Sequence, residues 1–557
     1  MKKGKLALLS IISLLVFAGC NNNEPAEESS ITINLLTTGW INTPTSGKDP
    51  YKEWIKDNYG LDVNLTATAD FNAAALTKFA SKNDVPDIVS IPSLSEFQKL
   101  KNQGTIIEDW TPYLKYMPNY GAFIKREENK FLTDLFTTDG KLTCFYTYPD
   151  SVTWSLKIRE DWAEEYRSDT TPGENYPAGN VATNNGPWQP LTSDDLLHFA
   201  RWIKINKNSN PDKPDVFGFS TAGAGNDFGV LGTWFPLMWG YNYLCPYGFY
   251  VDETTNQASF GVVDGTMEKM LNYMRTICDE ELIDPNWFIQ DSSSDLRTKG
   301  GKIGITWYPG IIAEMTANTV TNQDTSNWWK TYDVPIGVDA IENSPTKPGM
   351  MINDSLASNM ITVSKKCALN ENKMKKICAL LDDLLCYVDN TKTGQDKYVK
   401  GKAYDALRYG VGVDADLTFQ DVEGTDFKYC CVKTGNTYRE TVAGDGAWDW
   451  GAWFSTTNDG VVTGEAKQIG KIAKQAVQFN TQSGQYEQKI QVGSFLAVDQ
   501  SIVKNMDVGV VKFMYNYVTR QSSQTMEEFE QYWRSTLKGD ELLQEATRQF
   551  RAIGFIK

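Results

Sequence analysis

One histidine serves the whole chain, and that scarcity excludes more chemistry than any motif supplies. His198 has Asp194 and Arg201 at helical spacing, a solvated polar flank, so no Ser-His-Asp or Cys-His set can be built around it. Zinc falls on the same ground, because the nine cysteines contain no Cys-x-x-Cys spacing and one imidazole cannot complete a closed site. No Gly-rich phosphate loop of the Walker type occurs, so energy coupling would belong to a separate ATPase. Past residue 17, no apolar run approaches the roughly 20 residues that a membrane span needs. Basic excess is missing as well: 54 Lys and Arg stand against 70 Asp and Glu, a net charge of −16. That balance argues against nucleic acid or an anionic bilayer as partner and favours a neutral or cationic solute. A glycosidase needs only two carboxylates across a cleft, and nothing in the sequence excludes such a pair.

The N-terminus reads Met1-Lys-Lys-Gly-Lys5, an apolar run from Leu6 to Phe17, then Ala18-Gly-Cys20. A charged head, a short apolar core and small residues before a cleavage point make a secretory signal, too short to span a bilayer. Losing residues 1–19 removes three lysines and no acids, which takes the charge from −16 to −19. Residues 21–30 are polar and acidic, as a tether should be. Cys144, Cys245, Cys278, Cys367, Cys378, Cys386, Cys430 and Cys431 then remain, most of them expected as buried free thiols. Cys378 and Cys386 fall on one apolar helix face, too far apart along its axis for a disulfide.

More than five hundred residues exceed what one core normally serves, so at least two lobes are expected. The stretch 60–109 sets their character. Val63 and Leu65 alternate with polar residues as in a strand, Asp70 can cap a helix, and Ile88-Val89 make a short buried strand before a second helix from Leu94. Strand and helix in alternation give an α/β layout with a parallel sheet, and ligands of such sheets bind beyond the strand carboxyl ends, here the loop Ser90-Ile-Pro-Ser93. Residues 31–36 read as the first strand and 51–58 as a helix. Residues 112–120 loop out, and 141–148 and 152–158 read as strands around Pro149-Asp150. The Pro, Gly and Asn-rich stretch 168–190 reads as a surface insertion. Thr192 or Ser193 caps the next helix, and Met267, Met270, Leu271, Met274 and Ile277 form a core stripe. Further expectations are strands over 299–308 and 332–337, a helix from its cap Asn370 through Val388, and a capping box Thr525-Met-Glu-Glu528. That last helix buries Phe529, Tyr532 and Trp533, and Asp540 starts a final one.

Ala75-Leu-Thr-Lys-Phe-Ala followed by Val85-Pro-Asp-Ile-Val resembles the first lobe of the extracellular solute-binding proteins of ATP-binding-cassette importers, closest to the carbohydrate-type lipoproteins of family 1. Arg159-Glu-Asp-Trp162, the strand ending Ile-Thr-Trp307-Tyr308 and Tyr404-Asp-Ala-Leu-Arg-Tyr-Gly-Val411 extend the likeness, which covers most of residues 31–556. Leu-Val-Phe-Ala-Gly-Cys20 looks like a lipobox, whose cysteine is diacylated and becomes the mature N-terminus; two acyl chains anchor where one does not. The resemblance implies an α/β, two-lobe, periplasmic-binding-protein-like fold of type II, with an interlobe cleft and crossover hinge strands. It implies a signal peptide at 1–19 and a lipidated tether at 20–30. The first lobe would comprise 31–148 with 352–410, and the second 149–351 with 411–557. Relatives carry a calcium loop where 206–215 lies here, but the glycine of the sharp turn is missing and two prolines intrude, so a metal-free turn is expected.

Aromatic residues carry the functional expectation. Sugar rings pack a C–H face on indole while their hydroxyls need planar polar partners. Of seventeen tryptophans, Trp54, Trp110, Trp162, Trp202 and Trp533 read as core. Trp40, Ser93, Trp154, Trp234, Phe235, Trp307, Tyr308, Asp445, Trp448 and Trp450 read as the ligand site, with Trp40, Trp234 and Trp307 lining one groove with partly exposed ring faces. The expected function is capture of an oligosaccharide between the lobes of a monomer held at the extracytoplasmic face through Cys20, without chemistry, and its delivery to a membrane permease. A surface carbohydrate-active enzyme, an adhesin and a peptide receptor of the same fold stand as alternatives.

Overall fold

The computed structural model describes residues 30–38, 50–68, 70–81, 83–91, 94–146, 154–219, 229–240, 248–289, 301–309, 328–340, 348–349, 351–352, 360–389, 391–404, 406, 417–421, 428–432, 461–465, 486–487 and 492–557. Within them the apolar side chains condense into two separate cores. One draws on 33–146 and 360–404, the other on 156–340 and 496–556.

The first core forms around a five-stranded sheet. Ile31–Thr38 lies between Leu61–Thr68 and Ile88–Ile91, parallel to both, and Met360–Val363 returns from far along the chain to pair antiparallel with Ile88–Ile91 and with Phe145–Tyr146. Local chemistry starts its helices. Asp70 accepts from Ala73 N at 3.0 Å to open Phe71–Ala80, and Asn370 accepts from Lys373 N at 3.0 Å to open Glu371–Asp383. Asp87 ties sheet to helix by accepting from Asn34 N and Lys373 Nζ.

Two local expectations fail here for tertiary reasons. Residues 112–120 are not an excursion: Thr111–Tyr116 is a 3₁₀ helix and Pro118–Phe123 an α-helix, with Tyr120 stacked on Phe145 at 4.0 Å. Tyr120 OH donates to Tyr146 O and accepts from Tyr146 N, so the phenol serves the strand as a backbone partner would. The helix from Asn370 stops at Asp383 rather than Val388, because Tyr387 and Val388 find a strand partner in Tyr398–Lys400. Cys386 is therefore in a strand, not on a helix face with Cys378.

In the second lobe, Trp154–Arg159 lies between Trp329–Tyr332 and Ile303–Pro309, antiparallel to both, with Phe217–Phe219 beyond. The strand expected over 332–337 ends at Tyr332, since Pro335 has no N–H to give a ladder. The methionine stripe of Thr266–Asp279 is core, as its spacing predicts. The expected capping box of Thr525 with Glu528 forms, and Thr192, one of the two expected caps, forms a second with Asp195. Phe529 stacks on Phe513 at 3.9 Å and Trp533 on Phe260 at 5.2 Å, which seats the C-terminal helices, while Tyr532 turns to solvent.

The stretch 168–190 corrects another expectation. It wraps back and drives Trp188 into the second core at 0 % exposure, stacked near Phe199 and donating from Nε1 to Asp195 O at 2.8 Å. Gly179 makes the wrap possible, for any Cβ there would meet the Tyr166 carbonyl.

Candidate functional site

Strand direction locates the junction between the lobes. The parallel strands of the first sheet end at Thr38, Thr68 and Ile91, and the register Met360↔Ile91 and Met360↔Tyr146 brings the last two strands level with them. From this edge the chain leaves Tyr146 for Trp154, and to it the chain returns from Ile352 to Met360. Trp154 pairs with Pro309, the last residue of its strand, so the second sheet also turns a strand end to the junction. A crevice outside the carboxyl ends of open-sheet strands is where ligands of α/β proteins bind. A third tie crosses at Val492–Phe495, where Phe495 packs on the first core while the next residue, Leu496, belongs to the second.

Several expected site residues follow this edge. Trp154 opens its strand and Tyr308 is next to last in the facing one, both placed by backbone pairing at the junction end. Trp40 and Ser93 lie outside the described residues, each two positions beyond a strand that ends there. Asp445, Trp448 and Trp450 also lie outside the described residues, as does Cys20.

Trp234, Phe235 and Trp307 correct the expectation of open ring faces. Trp234 is 0 % and Trp307 5 % exposed. Their indoles stack at 6.0 Å with planes 8° apart, Trp234 sets its neighbour Phe235 edge-on at 4.3 Å, and Phe235 continues to Tyr273 at 5.7 Å. Two physical reasons apply. Residues 229–238 carry no charge and form a helix, Gly229–Met238, rather than a loop, and Trp307 is in phase with Ile303 and Ile305, so the pleat sends it to the core. The Trp234 Nε1 donor has no partner among the described residues. These rings form a closed aromatic column, stacked at the indoles and edge-on beyond them, behind the strand end.

The other face of the same sheet holds what sequence reading missed. Lys157 is buried and donates to Thr331 Oγ1 at 2.6 Å, and burial pulls its pKa down to about 7. Arg159 stacks 4.0 Å from the ring centres of Trp162 and Trp328 and grips Asp161 through two bonds, which gives the Arg-x-Asp-Trp motif a structural role. Alternation was the available signal: Leu156 and Ile158 point into the core, so Lys157 and Arg159 must share the opposite face.

His198 is half-buried rather than solvated, and burial together with Arg201 lowers its pKa and keeps the ring neutral. Arg201 binds Glu280 instead, so the imidazole is not part of an acid–base relay with it. In the loop 206–215, Asn208 closes the turn itself, its Oδ1 accepting from Asp215 N and Val216 N, while the Asp215 carboxylate goes to Lys302. No group of acids, cysteines or histidines among the described residues could hold a metal ion. Cys144, Cys278, Cys367, Cys378 and Cys386 are free thiols, and burial pushes Cys278 and Cys378 up to about 12, far from reactivity.

No family model and no curated protein matches the chain. Solved structures do. An HMO-binding, ABC-transporter-associated solute-binding protein from Bifidobacterium longum infantis aligns with a TM-score of 0.60 at 14% identity, over 95% of this chain and 100% of that one. The Streptococcus pneumoniae ABC-transporter substrate-binding protein FusA in complex with kestose gives 0.54 at 14% identity, over 95% and 100%. The N-glycan transport solute-binding protein NgtS of the same species gives 0.54 at 13% identity, over 94% and 98%. The chain thus has the two-lobe α/β fold of periplasmic solute-binding proteins.

Proposed function

We propose that this chain is a lipid-anchored extracytoplasmic receptor that captures an oligosaccharide between its lobes and delivers it to an ATP-binding-cassette importer. The observation that carries the reading is that the described residues form two sheets with separate cores, the chain passing from the strand end at Tyr146 to the strand start at Trp154 and returning to the first sheet at Met360. The named roles of its structural neighbours, HMO binding, a kestose complex and N-glycan transport, support an oligosaccharide as ligand. On this reading the lobes comprise 31–148 with 352–410 and 149–351 with 411–557.

Binding would work by population shift: a ligand touching both lobes binds the closed arrangement more tightly and so favours it. Trp154, Tyr308, Trp40 and Ser93 would meet the sugar at the strand ends, with Asp445, Trp448 and Trp450 from a Gly-flanked segment. Trp234, Phe235 and Trp307 would back that surface as a rigid wall and give it a fixed shape. Cys20 would carry the lipid that holds the receptor at the membrane, and the chain itself would do no chemistry.

A thermal-shift screen of glycans tests the ligand, because a tight ligand raises the melting temperature by mass action whatever its identity. An oligosaccharide that raises it and is recovered intact supports the receptor. Turnover abolished by one Asp or Glu substitution would instead establish a carbohydrate-active enzyme, and a shift with peptides alone a peptide receptor. Release of the Cys20→Ala variant from membranes, or its accumulation as precursor, tests the anchor.

A further inference from the structure

Charge is spread unevenly over this acidic molecule. Residues 364–376 hold five lysines and one glutamate in a chain of net charge −16. In the fold they form the corner between the helices Lys365–Ala368 and Glu371–Asp383. Cys367 and Met374 turn inward there, their sulfurs 3.9 Å apart, and leave Leu369 at the tip with 88 % of its surface in solvent. No other large apolar side chain among the described residues is so exposed. Acids pair with three of these lysines, Glu108 with Lys365, Asp87 with Lys373 and Glu371 with Lys375, but Lys101 and Lys141 beside Glu108 and Lys115 beside Glu371 keep lysine in excess.

The position of this corner gives it meaning. Val363 is level with Ile88, and Ile88 with Leu35, so the corner lies at the end of the sheet opposite the junction. Ile31 starts its strand at that same end and donates to Gly60 O at 2.8 Å. A Cβ on Gly60 would lie only 2.6 Å from Lys376 Nζ, so that ammonium stands where the chain enters the body. The stretch from Cys20 to Ile31, fully extended, spans at most roughly 40 Å.

From these placements we infer that the lysine-rich, leucine-tipped end of the first lobe rests on an anionic phospholipid surface. The inference rests on the proposed lipid at Cys20, which makes the contact intramolecular and lets a weak surface act at high effective concentration. Lysines near anionic headgroups attract over about one Debye length, roughly 8 Å at physiological salt, and Leu369 can enter the headgroup boundary between them. The net negative charge argues against the body as a whole lying on such a bilayer. It does not govern one basic end, because charges on remote faces are screened. Standing on this end, the receptor holds its interlobe crevice away from the bilayer and open to solutes, in a salt-sensitive contact that it can leave to deliver them.

The test is lysine footprinting by mass spectrometry on the full chain as isolated, mixed with vesicles of phosphatidylcholine alone or with phosphatidylglycerol and then floated. Flotation with both vesicles and a several-fold drop in acylation of Lys365, Lys366 and Lys376 only on the anionic ones, with the exposed second-lobe Lys504 and Lys512 unchanged, is expected. Lys365→Glu with Lys366→Glu, or Leu369→Asp, changes only exposed side chains and should abolish the protection of Lys376. Flotation with both vesicles but no lipid-dependent protection overturns the docking surface and leaves the anchor standing. Flotation and protection on anionic vesicles alone overturns the anchor and supports the surface. Absence of flotation with either overturns both.

Discussion

Asp382, on the stretch that returns to the first lobe, accepts a hydrogen bond from Tyr120 N at 2.7 Å and one from Asn119 N at 3.1 Å. One carboxylate thereby satisfies the first free N–H groups of Pro118–Phe123 across more than two hundred residues of chain. Asp382→Ala should cost about 1 to 3 kcal/mol, the penalty for leaving buried donors unpaired. Urea unfolding of the first lobe measures it, and an unchanged midpoint would show that these donors find other partners.

Trp307→Ala should lower stability by about 3 to 5 kcal/mol, because it opens a cavity beside Trp234 in a closed aromatic column. A ring lining an open groove, as the sequence led one to expect, would instead have lost affinity with folding intact. Tyr308→Ala, on the opposite phase of the same strand, should weaken glycan binding while leaving the melting temperature of the free protein within a few degrees. Calorimetry on both variants separates wall from contact surface.

Trp188→Ala should also cost about 3 to 5 kcal/mol, since the ring is enclosed by Tyr166 and Phe199. Limited proteolysis within 168–190 should accelerate in the variant and be slow in the parent protein. Equal cleavage rates would mean that the stretch is not held by this ring.

Lys157 makes stability depend on pH with a definite sign. Its folded pKa is lowered to about 7, below the unfolded value, so the unfolded chain binds more protons between the two. Stability should therefore rise with pH above about 7, by at most about 1.4 kcal/mol per unit, until the unfolded lysine itself loses its proton. Lys157→Met should remove that rise and be the more stable protein at neutral pH. Parallel slopes for both proteins between neutral and alkaline pH would contradict the assignment.

Local sequence was enough for much of the frame. Asp70, Thr192, Asn370 and Thr525 announce the helices they cap, and the apolar spacing of Thr266–Asp279 fixes its buried face, because both signals are complete within a turn or two of chain. The short apolar run at Ile88 and Val89 signals a buried strand for the same reason. Only the tertiary structure decided the rest. Whether an aromatic close after a glycine meets solvent or core depends on which element packs over it, as with Trp234 and Trp188, and no local period encodes that. The docking of 111–123 against the returning chain, the burial of Lys157 against Thr331 and the placing of Lys376 beside Gly60 all join residues distant in sequence. Such juxtapositions arise from sheet order and register, which bring together what composition and spacing leave apart.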